Sequence, residues 1–187
     1  MSRKNLSRTF LAVALIALTV GFAGCFGTKF TLIDPAKARV DRVYIGDWDA
    51  LNAKGESADL VIRNIDDKLF YIETRASGAA AQNTKKADRY VGFTVDVNGA
   101  TFAHVRPMQE NGDIPDTWLL MRLDLSDNNR KLMIRQLNEE FFKSKPVETA
   151  DQLRQVLTKN MNDETMYDKD EQITATRVGD TPNAVAQ

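Results

Sequence analysis

The residues of this chain best suited to chemistry are its one histidine, His104, its one cysteine, Cys25, and its clustered carboxylates. A hydrolase needs a nucleophile within reach of a base. His104 lies in the run Phe102 to Arg106, which reads as a strand, and neither Ser nor Cys adjoins it. Its expected role is a partly exposed strand residue. One histidine and one cysteine cannot supply the usual nitrogen and sulfur set of a zinc site. Asp163, Glu164, Asp168, Asp170 and Glu171 could offer oxygen to calcium, but they lack the central glycine and final glutamate of an EF-hand loop. They read instead as a solvated acidic stretch. Asp47 and Asp49 flank Trp48 and share one strand face, expected to point to solvent. No glycine-rich phosphate loop occurs, so the residues indicate no enzyme, metal or cofactor.

Cys25 has no second cysteine with which to close a disulfide, and a lone thiol in an exported chain calls for a reason. The residues before it supply one. Arg3, Lys4 and Arg8 form a basic region, followed by an uncharged apolar run from Phe10 to Phe22 broken only by Thr19 and Gly21. This is the layout of a secretory signal, and the run is shorter than the roughly 18 to 20 apolar residues of a spanning helix. Phe22-Ala23-Gly24-Cys25 resembles the lipobox of bacterial lipoproteins, with Phe22 where that family usually has Leu. The resemblance implies cleavage after Gly24, a diacylglycerol on the Cys25 thiol and a further acyl chain on its amine. Two or more chains anchor a protein stably where one does not. Phe26 follows where an aspartate would be the inner-membrane retention signal of enteric bacteria, so the resemblance favours an outer-membrane site facing the periplasm in a Gram-negative organism.

Taking residues 1–24 from 187 leaves 163, which suits one domain. The signal holds three of the 25 basic residues and no acidic one, so 22 basic against 26 acidic residues remain, a net charge of −4. Nothing in that balance offers a basic surface to nucleic acid. Residues 25–42 read as the lipidated N-terminus, a short tether and a helical turn at Asp34-Pro35. Residues 43–178 read as the folded domain, and 179–187 as a fraying tail.

Within the domain the dominant period is two. Val91, Phe93, Val95 and Val97 alternate with Gly92, Thr94 and Asp96, and Leu119, Met121, Leu123 and Leu125 repeat the pattern. Asn98-Gly99 marks a tight hairpin, since both residues tolerate positive φ. Further turns fall at Asp66-Asp67 and at Ser126 to Asn129, and Ser77 to Lys86 reads as a longer loop. Thr149-Ala150-Asp151-Gln152 is a capping box that predicts a helix from about Ala150 to Asn160; a shorter helix is expected over Asn138 to Lys143, and a closing strand over Gln172 to Val178. The fold class is therefore mainly β, with some α. Seven or eight strands in antiparallel meander make a small barrel or a curved sheet, covered by one or two C-terminal helices and completed by a last strand.

Gly46-Asp47-Trp48 is similar to the Gly-x-Trp motif that opens lipocalins and related calycin barrels. In that family the tryptophan closes the barrel floor beneath a basic side chain, for which Arg135 and Arg177 are the two candidates. The likeness implies a small hydrophobic ligand within the cup. Small bacterial lipoproteins of no known function also begin this way and are the nearer resemblance. The leading expectation is a non-enzymatic binding or interaction module in the cell envelope, docking an envelope protein; the alternative is a lipocalin-like carrier of a small hydrophobic ligand. An apolar cavity above Trp48 would favour the carrier, and an exposed aromatic face at Trp118 and Phe102 would favour the interaction module.

Overall fold

The structure is a computed structural model that describes residues 26–78 and 87–179. The signal segment, Cys25, most of the expected loop at Ser77 to Lys86, and the tail beyond Gly179 lie outside the described residues.

The chain is mainly β. Its strands are β1 (Gly27–Thr28), β2 (Gly46–Asn52), β3 (Ser57–Asn64), β4 (Phe70–Ala76), β5 (Asp88–Val97), β6 (Ala100–Pro107), β7 (Trp118–Ser126), β8 (Lys131–Gln136) and β9 (Ile173–Arg177). Two helices, α1 (Glu139–Lys143) and α2 (Ala150–Asn160), fall between β8 and β9. From β2 to β8 each strand pairs antiparallel with the next; β9 then pairs with both β8 and β2, which closes an eight-stranded barrel. Of the two architectures expected, the barrel is the one formed, and β1 is an extra strand on β7.

Local chemistry accounts for the hairpins and helix starts. Asn98 and Gly99 both have positive φ, 54° and 83°, as a two-residue type I′ turn requires. Asp127, Asn128 and Asn129 take the same backbone region between β7 and β8, where short polar side chains tolerate it best. At α2 the Thr149 hydroxyl accepts from the Gln152 amide at 3.3 Å, and the Gln152 side chain reaches back to the amide of Glu148, one residue before the cap.

Alternation along the strands builds two apolar layers. Trp48, Leu60, Ile62, Phe70, Leu132 and Ala175 point into the barrel. On the outside, Val95, Val97, Phe102 and Leu120 meet Leu137, Phe142, Leu153 and Leu157 from the helical excursion. Leu153 and Leu157 are fully buried one turn apart, and two such leucines contribute about 3–6 kcal/mol by leaving water. The period-two run of Val91, Phe93, Val95 and Val97 therefore faces this outer layer, not the barrel interior.

The N-terminal segment completes the outer layer, so the stretch expected as a tether lies against the barrel. Phe26 is buried, stacks on Phe142 at 3.8 Å, and its amide donates to the Leu137 carbonyl at 3.2 Å. β1 pairs with Trp118 and Leu119. The chain then crosses the barrel wall, with Leu32 buried and Arg39 bridging Thr94, where β4 no longer covers β5. Single 3₁₀ turns at Pro35–Lys37 and Arg42–Tyr44, capped by Asp34 and Asp41, bring it to Gly46. The first of these turns is the helical turn anticipated at Asp34-Pro35.

Candidate functional site

The barrel has one stoppered end. Gly46, Trp48 and Arg177 converge there because β2 and β9 pair Trp48 directly with Arg177, both facing inward. The Arg177 guanidinium lies 4.1 Å above the Trp48 ring. Its nitrogens donate to the carbonyls of Asn129 (3.1 Å), Ile45 (2.8 Å) and Val43 (2.5 Å). One cation thereby ties the β7–β8 hairpin to the chain entering β2. Burial pulls its pKa below the usual value, yet a guanidinium keeps its charge at any ordinary pH. Gly46, at φ 153°, has a reason of its own, since a Cβ there would collide with the Arg177 Nη1. The indole N–H of Trp48 donates to the Tyr44 carbonyl at 3.1 Å, and Tyr44 packs across the same end with its hydroxyl on Thr101.

Arg135, the other candidate, is elsewhere. On β8 the residues Leu132, Ile134 and Gln136 line the interior cavity, so Arg135 points outward, opposite Arg122 on β7. The two like charges coexist because Asp124 lies between them, 2.9 Å from Arg122 and 2.8 Å from Arg135. Arg135 also covers the Tyr167 ring at 4.2 Å and reaches Glu164 at 3.2 Å. This cluster pins the segment after α2 to the barrel wall. Tyr167 gave no sequence signal, since the two arginines it meets, Arg135 and Arg122, are 32 and 45 positions away.

Above the floor the barrel holds an apolar cavity of about 70 Å³. Phe70, Ala103, Leu123 and Leu132 form its lower wall; Thr74, Tyr90, Gln136 and Ile173 ring its upper part, and among the described residues no charged side chain lines it. Floor and upper rim differ in exposure: Trp48 and Leu132 are buried, while Thr74 and Ile173 are half-buried. The cavity therefore opens away from Trp48.

His104 is wholly buried rather than partly exposed. It lies on the outer face of β6, where the N-terminal segment and the side chains of Phe93 and Trp118 cover it; Phe93 stacks at 5.1 Å and Trp118 meets it edge-on at 6.1 Å. Its Nε2 accepts from the Leu32 amide at 3.1 Å, which assigns the proton to Nδ1, a buried atom without a partner among the described residues. Desolvation lowers its pKa to about 3. The one nearby charge on its strand, Arg106, is spent over the Trp118 ring at 3.7 Å.

A histidine that is neutral when folded and has a pKa near 6.5 when unfolded binds more protons in the unfolded state between those two values. Stability must therefore fall as pH drops through that window. Between pH 7 and pH 4 this group is expected to remove about 3 kcal/mol. His104→Gln keeps an acceptor for the Leu32 amide and does not titrate, so urea midpoints of the two proteins should converge as pH falls. Parallel pH profiles would show that His104 is not the group responsible.

Trp118 and Phe102 are buried in the outer layer, at 5% and 0% exposure, and so form no exposed aromatic face. Asp47 and Asp49 are exposed, and Asp47 pairs with Arg63. In the acidic stretch Asp163 caps a 3₁₀ turn, Glu164 pairs with Arg135 and Asp168 accepts from the Asp170 amide. Fold and site together define a closed antiparallel barrel with a stoppered floor and an open apolar interior. Comparison with protein-family models, with curated proteins and with solved structures gave no match.

Proposed function

We propose that this chain is a non-enzymatic lipoprotein of the cell envelope, held to a membrane through lipid on Cys25, whose barrel binds a small hydrophobic ligand. The observation that carries the ligand reading is the uncharged cavity, open at one end and stoppered by Trp48 and Arg177 at the other. Uncharged walls favour an apolar guest, because a buried ionic group would find no counter-charge there. The interaction-module reading has less support, since Trp118 and Phe102, the aromatic residues it would have used, are enclosed. A hydrolase reading has little, because His104 is sealed among aromatic rings with its one acceptor nitrogen engaged.

The test is uptake of cis-parinaric acid, a fluorescent fatty acid whose slim polyene chain end suits a cavity of this size. The wild-type protein is expected to give a saturable rise in emission. Ala103→Leu, which fills the cavity from its wall, should weaken binding about tenfold or more, equivalent to about 1.4 kcal/mol. Met133→Ala, on the outward face of β8, should leave binding unchanged. Equal uptake by Ala103→Leu, or none by the wild type, would overturn the ligand reading.

A further inference from the structure

The anchor and the cavity meet at one end of the barrel. The strands assign the two ends. At the floor end lie Gly46, Arg177 and the hairpins joining β3 to β4, β5 to β6, and β7 to β8. At the other end lie the β2–β3 hairpin, the β6–β7 loop, the exit of β8 and the entry of β9. β1 pairs with Trp118 and Leu119, the first two residues of β7, and so belongs to this second end. The cavity opens toward it as well, past Thr74 and Ile173.

Phe26 is fixed there by three independent contacts. It stacks on Phe142, donates its amide to Leu137 and continues directly into β1. Cys25 is one peptide bond away, about 3.8 Å between Cα atoms. An anchor on a long flexible linker would say nothing about orientation, because such a chain lets a domain turn over. With Phe26 docked, no slack separates the acylated residue from the rim.

Given the proposed lipid anchor and apolar site, we infer that the open end of the barrel faces the bilayer that holds Cys25, and that the ligand is the chain of a membrane amphiphile entering from that bilayer. Size supports the second part. Pockets that enclose a drug-sized molecule run to about 300–1,000 Å³, and an engineered cavity of about 150 Å³ takes up benzene. At about 70 Å³ this cavity accepts the end of a chain and leaves the rest outside. A mouth against the membrane lets that remainder, with its head group, stay in the lipid. An aqueous mouth would leave it exposed to water.

The test uses the acylated full-length protein in vesicles of phosphatidylethanolamine and phosphatidylglycerol containing a paramagnetic chelator lipid. Acylation blocks Cys25, so a dye can be placed on a single new thiol at Lys54→Cys, in the β2–β3 hairpin, or at Lys68→Cys, in the β3–β4 hairpin. The Lys54 site is expected to be quenched several-fold more strongly. A flexible Gly-Ser linker of about 20 residues between Cys25 and Phe26, spanning about 25 Å, should abolish the difference. In vesicles carrying a self-quenching content of cis-parinaroyl phosphatidylethanolamine, whose polyene chain is as slim as an ordinary acyl chain, the wild type should raise polyene emission by drawing single chains out of the bilayer, and Ala103→Leu should not.

Equal quenching at the two sites, stronger quenching at Lys68, or a difference that survives the linker would overturn the orientation. No rise in polyene emission would overturn the bilayer as the ligand's source. If cis-parinaric acid uptake by the vesicle-free Cys25→Ser protein persists, those failures leave the apolar site standing. If uptake is absent, the site reading itself has failed. An unacylated intact mass would remove the anchor and the orientation together.

Discussion

Cys25→Ser is expected to move the protein from the membrane fraction to the soluble fraction and to abolish its acyl mass. The intact wild-type mass should correspond to a chain beginning at Cys25 plus two or three acyl groups, whereas the variant should carry none. The effect is large because the anchor is additive in buried methylenes, at about 0.8 kcal/mol each, so losing every chain takes away the whole attachment. The described fold begins at Phe26, whose stacking on Phe142 and hydrogen bond to Leu137 do not involve the cysteine side chain. Thermal unfolding of the released domain should therefore stay within about 0.5 kcal/mol of the parent, as for surface substitutions that break no buried contact. Unmodified wild-type mass would instead leave an exported domain with a free thiol, and localisation would have to be sought by another route.

The parts of the fold that were legible in the sequence are those decided by neighbours along the chain. Asn98-Gly99 specifies its turn by backbone conformation alone, and Thr149 with Gln152 marks the start of α2 within four residues. Strand alternation is equally local, so the meander and its fold class could be read. The alternation does not say which face meets which layer. Val91, Phe93, Val95 and Val97 carry the apolar face that the helices and N-terminal segment cover, and those elements lie more than 40 positions away in the chain. His104 was misread for the same reason: its lid is Leu32, 72 positions earlier. Barrel closure rests on pairing Trp48 with Arg177, which no local pattern announces. The Gly-x-Trp resemblance narrowed the basic partner to two arginines. Strand phase separates them, since Arg135 has the wrong parity on β8 to enter the barrel.

Trp48→Ala is expected to destabilise the domain by about 3–5 kcal/mol, the usual cost of deleting a large buried aromatic. For a chain of this size that lowers the melting temperature by on the order of 10 °C. Three losses combine: the packing of a side chain only 1% exposed, the indole donor to the Tyr44 carbonyl, and the face on which Arg177 lies. They can be separated. Trp48→Phe keeps an aromatic face but leaves the Tyr44 carbonyl without its donor, a loss of about 1 kcal/mol on that account. Arg177→Lys keeps the charge but replaces a three-way fork with a point donor, so the carbonyls of Val43, Ile45 and Asn129 cannot all be served. A double-mutant cycle between Trp48→Phe and Arg177→Lys underestimates the contact, because both replacements retain part of it. The cycle with Trp48→Ala should return a coupling of about 0.5–2 kcal/mol. The same cycle with Arg135→Lys should return none, since Arg135 is occupied by Asp124 and Tyr167 on the outer wall. Coupling of Trp48 to Arg135, or its absence with Arg177, in urea titrations would contradict this account of the floor. Because Trp48 closes the end remote from the mouth, fluorophore uptake by Trp48→Ala should persist below its reduced melting temperature, which separates what holds the barrel shut from what lets a ligand in.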